Sequence, residues 1–223
     1  MTAEPTAFLY PFIESEERDT ESLLGDLARS AEEKWGQSDR LTADTLYQCE
    51  AQLQAAAAAV VERVRAGGRL FTFGNGGSAT DAGSTAQHFS NPPHGEPVPA
   101  RSLAAAPSIV TALANDIGVA AIFSRQLIAS ARATDVAIGF STSGGSENVL
   151  AAFAEARRRG MLTLGFSGYE GGRMATSADI DHCFIARSDS VHRIQEAQAA
   201  LVEALWNAVQ HELARTPFQE ASR

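Results

Sequence analysis

The stretch Arg69-Leu70-Phe71-Thr72-Phe73-Gly74-Asn75-Gly76-Gly77-Ser78 decides the reading of this chain. A short run of apolar and β-prone residues passes directly into a glycine cluster, the pattern of a buried strand ending in a tight turn. The pattern returns at Val136 to Phe140, which ends in Ser141-Thr142-Ser143-Gly144-Gly145-Ser146. Further apolar runs at Leu162 to Phe166 and Cys183 to Ala186 alternate with helix-like stretches at Glu147 to Arg159 and Val191 to Leu213. Strands separated by helices predict βαβ units and a mostly parallel sheet, hence an α/β class. Ligands of such sheets sit beyond the carboxyl ends of the strands, so the two Gly- and Ser-rich turns are the stretches to examine for function.

Upstream, Glu21 to Arg65 reads as helix. Leu23, Leu24, Leu27 and Ala28 recur at three-to-four spacing, and Leu46, Leu53, Val60, Val61 and Val64 form a later apolar stripe that ends at Gly67-Gly68. The stripe needs cover, part of it expected from another subunit. The expected division is a helical extension over residues 1–40 and a single domain over residues 41–218.

Of the 223 residues, 44% are hydrophobic and 20% charged, which suits a globular core and excludes disordered and fibrous classes. The net charge of -9, from 18 Lys and Arg against 27 Asp and Glu, works against attraction to nucleic acid or an anionic lipid surface, and neither is expected as a direct partner. The acidic N-terminus lacks the basic start of a signal peptide and no apolar run is long enough to span a bilayer, so the expected location is cytoplasmic. Cys49 and Cys183 have no metal-ligand spacing and are expected to be buried free thiols.

Glycines present backbone N–H groups and the following helix adds partial positive charge, so both turns suit an anionic or hydroxylated ligand. No Lys follows the first glycine cluster and it is not a full GxGxxG string, which removes support for ATP and NAD. The second turn offers four hydroxyls around two glycines without a fixed cation, a neutral cradle for phosphate. Either turn alone could consist of ordinary turn and cap residues; two at equivalent strand ends point to a ligand, and a phosphosugar fits.

Four motifs in order, Phe73-Gly74-Asn75-Gly76-Gly77-Ser78, Ala114-Asn115-Asp116, Phe140 to Ser146, and Arg193-Ile194-Gln195-Glu196, resemble the sugar isomerase (SIS) domain family and, within it, the sedoheptulose 7-phosphate (phosphoheptose) isomerases. The similarity runs from about residue 45 to 215. It implies a three-layer α/β/α sandwich with a flavodoxin-like sheet, and a homotetramer with sites between subunits, built on the long helices before residue 66 and after residue 190. It also implies that Ser141, Thr142, Ser143 and Ser146 hold the sugar phosphate. Asn75, Gly76, Gly77, Ser78 and Asp116 would face the polyol, with Gln195 at the reactive end. The implied reaction is aldose–ketose interconversion of sedoheptulose 7-phosphate to a D-glycero-D-manno-heptose 7-phosphate-type product, through an enediol.

The chain departs from that pattern where chemistry is expected. The isomerases carry His and, four residues on, Glu in the helix after the first glycine turn, and Gln and, eight residues on, His in the last helix. These bind zinc, and the Glu and last His serve as base and acid. Without gaps, Ser84 stands at the first His, His88 at the Glu, Gln195 at the Gln and Glu203 at the last His; His192 replaces an Asp. Inserting one helical turn instead matches Ala86-Gln87-His88-Phe89 to the family string and puts Pro92 at the Glu. Either way the helical Glu is missing. His88 and Glu203 still supply one imidazole and one carboxylate, as if exchanged between helices. The expected catalytic residues are therefore His88, Glu203 and Gln195, and the same three are the expected zinc ligands. The alternatives are a phosphosugar sensor without catalysis, or a replication-initiation regulator such as a related branch of the family supplies.

His94 falls in a Pro-rich surface loop, His182 and His211 at element ends, and Arg157-Arg158-Arg159 in a solvated last helical turn; Trp35 and Trp206 read as packing residues.

Overall fold

The structure is a computed structural model that describes residues 20–215, with side chains from residue 23. The chain divides into two compact units, Met1–Asp39 and Arg40–Arg223. The first contains the start of α1 (Thr20–Arg65), where Leu24, Leu27 and Trp35 are 60%, 56% and 71% exposed. Trp35, expected to pack, faces solvent.

In the second unit the predicted stripe of α1 is buried at Leu53, Val60, Val61 and Val64, with Cys49, Ala56 and Ala57 extending it at helical spacing. Then follow β1 (Leu70–Gly74), α2 (Gly77–Ser90), β2 (Ala100–Ser102), α3 (Pro107–Asp116), α4 (Ile122–Ser130) and β3 (Val136–Ser141). The chain continues through α5 (Glu147–Arg158), β4 (Leu162–Gly168), β5 (His182–Ala186) and α6 (Val191–Arg215), with single 3-10 turns at Val119–Ala121 and Gly172–Thr176.

All five strands are parallel, in the order β2-β1-β3-β4-β5, which is the flavodoxin-like order. Strands β1, β3 and β4 are buried at every residue, which explains why they read as unbroken apolar runs rather than as alternation. Leu70, Val136, Ile138, Phe140, Leu164 and Phe166 pack on one face with α1, α2 and α6. Phe71, Phe73 and Ala137 pack on the other with α4 and α5. On the first face Phe140, Phe166 and Phe184 stand in register across β3, β4 and β5, with ring centroids 4.8 Å and 5.0 Å apart. This aromatic row is a rigid floor beneath α6.

Strand β2 went unpredicted because three residues are too few to show a period. It pairs with β1 as an edge strand, and the prolines ahead of it cost the sheet nothing: Pro99 contributes its carbonyl, which accepts from Leu70 N at 2.8 Å.

Candidate active site

The strand order reverses between β1 and β3, so the crevice of this sheet lies between the turns that follow those two strands. A reciprocal amide pair ties the turns together. Asn75 Nδ2 donates to Asn148 Oδ1 at 2.8 Å and Asn148 Nδ2 donates to Asn75 Oδ1 at 2.9 Å. Asn75, expected to face a polyol, thus has its amide edge occupied by a residue of α5.

In the second turn, Gly144 N donates to the Ser141 carbonyl at 2.8 Å, and Gly168 N to the Thr142 carbonyl at 2.9 Å. Gly144 adopts φ +61°, and a Cβ there would stand 1.9 Å from the Gly171 carbonyl oxygen, so only glycine fits. The hydroxyls converge: Ser141 Oγ is 2.9 Å from Ser146 Oγ and 3.5 Å from Ser143 Oγ. Ser146 is the N-cap residue of α5 yet makes no side-chain cap, and Gly76 before α2 has no side chain to cap with. The first N–H groups of both helices are therefore left for other acceptors, with the positive ends of two helix dipoles at one crevice. Ser78 is buried in the first turn of α2. Asp116 ends α3, exposed, and accepts from Asn115 Nδ2 at 2.8 Å; it does not line the cavity described next.

That cavity, of about 280 Å³, lies where α2 packs on α6, and Asp81, Ser84, His88, Phe140, Gln198 and Glu203 are among its lining residues. On α2 the residues Asp81, Ser84 and His88 share one face at spacings of three, four and seven; on α6 Gln195, Gln198 and Glu203 follow at spacings of three, five and eight. Two cross-helix rungs result. Gln195 Nε2 donates to Asp81 Oδ2 at 2.8 Å, and His88 Nε2 stands 3.2 Å from Glu203 Oε2. The second contact lies off the N–H direction, a close approach rather than an aligned hydrogen bond. At 1.5 Å per helical residue the rungs are about 10–12 Å apart along the axes.

Each rung has a packing support. Gly77 leaves room for the Gln195 amide, because a Cβ there would lie 2.5 Å from Gln195 Nε2. Trp206, fully buried, meets the His88 ring edge-on at 4.7 Å and that of His94 at 4.9 Å, which places His94 beside the site through the tryptophan. Burial holds the Asp81 carboxyl above its ordinary range, against the lowering effect of the bond from Gln195. Gln198 is 0% exposed, and neither of its amide atoms has a hydrogen-bond partner among the described residues. A buried amide left so costs about 1–3 kcal/mol for each unmade bond.

Asp81 and Gln198 were not singled out in the sequence. The signal was the helical period: Asp81 lies two turns before His88, and Gln198 one turn after Gln195.

Of the three expected zinc ligands, His88 and Glu203 meet while Gln195 is held by Asp81 at the other rung. Two donors at one point fall short of the three or more protein ligands of a zinc site, and among the described residues no cluster of three His, Cys, Asp or Glu is placed to hold a metal. The residues as folded do not fit the ion.

Elsewhere, Arg157 and Arg158 at the end of α5 are exposed, as expected of a solvated turn, and Arg159 just after it is partly buried. Arg157 donates to Asp181 Oδ1 at 2.5 Å, Arg158 binds Glu155, and Arg159 binds Glu155 and two backbone carbonyls. Cys49 is buried as expected. Cys183 is only partly so, and burial pushes its thiol up to about 11. Among the described residues no helix is long and apolar enough to cross a membrane.

Comparison with known proteins agrees with this architecture. The family profile described as SIS domain matches residues 36–168. The chain is 41% identical over 165 residues to a phosphoheptose isomerase of Roseiflexus sp. (strain RS-1), covering 72% of this chain and 80% of that protein. It is 39% identical over 167 residues to one of Geobacter sp. (strain M21), covering 72% and 84%. Among solved structures, a phosphoheptose isomerase from Neisseria gonorrhoeae superposes with a TM-score of 0.77 at 28% identity, over 83% of this chain and 99% of that one. Another from Francisella tularensis gives 0.75 at 26% identity, over 82% and 98%.

Proposed function

The chain belongs to the phosphoheptose isomerase family of SIS-domain proteins, and on that premise we propose that it is an aldose–ketose isomerase acting on sedoheptulose 7-phosphate. The observation that carries the reading is the convergence, at one strand-order switch, of a hydroxyl-lined turn, two uncapped helix starts and a cavity containing an imidazole–carboxylate pair.

The phosphate sits on Ser141, Thr142, Ser143 and Ser146, where backbone N–H groups and hydroxyls donate to it. The carbon chain runs toward the cavity between α2 and α6. There the Glu203 carboxylate takes a proton from C1, the C1–H electrons form the C1–C2 double bond, and the C2 carbonyl oxygen takes a proton from His88 Nε2. The enediol then returns a proton from Glu203 to C2 while O1 gives its proton to His88, leaving the aldehyde at C1. Trp206 fixes the imidazole ring during both transfers. Asp81 orients Gln195 beside the entry to the cavity.

The fold's exposed apolar residues support assembly of several copies, and we place the homotetramer with this proposal. Tyr47, Ile117 and Val119 are 81%, 51% and 62% exposed, and α3 buries none of its residues within one chain.

Incubation with sedoheptulose 7-phosphate in D2O, followed by proton NMR, tests the reaction. The expected result is a new aldose H1 signal with deuterium entering at C2. Binding of the ketose with neither aldose nor exchange at C1 would replace the isomerase with a phosphosugar sensor.

A further inference from the structure

Gln198 has no role in the chemistry above, yet it is the most conspicuous polar residue of the cavity. It lies wholly inside the protein with both amide atoms unpartnered among the described residues, and it lines the cavity shared by Asp81, Ser84, His88 and Glu203. Trp206 Nε1 and Gln126 Oε1 are also buried without partners, but neither residue lines this space. A leucine would fill the same volume with no unmet hydrogen bond, so packing does not account for an amide here. A ligand in the cavity does.

We propose that Gln198 is a specificity-determining residue that recognises two oxygens on adjacent carbons of the substrate, a hydroxyketone or vicinal diol. This rests on the isomerase reading and deepens it by naming the contact that selects the carbon chain. The amide displays one donor edge and one acceptor edge side by side. A carbonyl or hydroxyl oxygen accepts from Nε2, and the neighbouring hydroxyl donates to Oε1. A phosphate dianion or a carboxylate has acceptors only and would leave Oε1 facing negative charge. The ligand portion at Gln198 is therefore the neutral polyol chain and not the phosphate. The position agrees: Gln198 stands three residues after Gln195 and five before Glu203, about 4.5 Å and 7.5 Å along the helix. It thus reads the carbons between the entry rung and the reacting pair.

The test uses the full-length protein and its Gln198→Leu and Gln198→Met variants. Thermal unfolding is measured without ligand, and calorimetric affinity is measured for sedoheptulose 7-phosphate and for inorganic phosphate. The expected result for both variants is an unliganded melting temperature equal to or above the parent's, ketose affinity weakened roughly 10- to 100-fold, and phosphate affinity unchanged. If the parent binds the ketose and both variants bind it equally well, the assignment of Gln198 falls while the isomerase reading stands. If the variants melt lower and lose phosphate binding as well, Gln198 is a structural residue and the assignment also falls. A parent that binds phosphate but not the ketose overturns the isomerase reading and this inference together.

Discussion

The two ends of the sheet are built by opposite rules. At the amino ends of the strands, carboxylates are fully engaged. The Asp135 carboxylate, 1% exposed, accepts from the backbone N–H groups of Arg69 at 3.0 Å and Arg132 at 2.8 Å. Asp181 likewise accepts from both the N–H and the hydroxyl of Thr163, at 3.0 Å and 2.9 Å. These bonds join the starts of neighbouring strands. At the carboxyl ends, polar groups are held but not satisfied: serine hydroxyls bonded to one another, helix starts without side-chain caps, a buried glutamine amide with no partner, and an aspartate kept above its ordinary protonation range by burial. One end has used its hydrogen-bonding capacity for stability; the other holds it for a ligand.

Four substitutions sharpen or break that contrast. The largest effect belongs to the carboxyl end. His88→Ala and Glu203→Gln are each expected to lower kcat on sedoheptulose 7-phosphate by roughly 10²- to 10⁴-fold, with far-ultraviolet circular dichroism and melting temperature close to the parent's. Unchanged turnover in both would remove the pair from catalysis even if the isomerase activity is real. Next is the amino end. Asp135→Ala leaves two partly buried backbone donors without their carboxylate and is expected to cost about 1–3 kcal/mol, with a matching fall in melting temperature, while turnover per folded molecule stays the same. A loss of activity without a loss of stability would mean that the two ends are not separate in role.

The smallest effect is pH-dependent. Because burial raises the Asp81 carboxyl, the folded chain holds its proton more tightly than the unfolded chain does. The stability tied to that proton is complete below the ordinary value of 3.8 and is lost as pH rises through the raised one. Asp81→Asn, which can still accept from Gln195, is therefore expected to melt slightly higher than the parent at pH 7. The gain should fade as pH falls toward the carboxylate range, as followed by thermal melts across pH.

Much of the fold was legible because it rests on long periods. The stripe of α1, the runs that became β1, β3, β4 and β5, and the two helices α5 and α6 each bury a continuous apolar face, which the residue pattern records. Strand β2 and helix α3 were not legible, since one has three residues and the other buries none of its own. In the site, the hydroxyl turn could be anticipated from its residue types, and the meeting of His88 with Glu203 from the positions that the family resemblance gives them. The Asn75–Asn148 and Asp81–Gln195 bonds could not, because each joins residues far apart in the chain whose pairing depends on how two elements pack.

The most direct measurement is a crystal structure of the protein with sedoheptulose 7-phosphate. The phosphate should lie on the Ser141–Ser146 turn, with the carbon chain extending between α2 and α6 past Gln198 to His88 and Glu203. A sugar bound elsewhere, or a turn that stays empty at saturating ligand, would contradict the account.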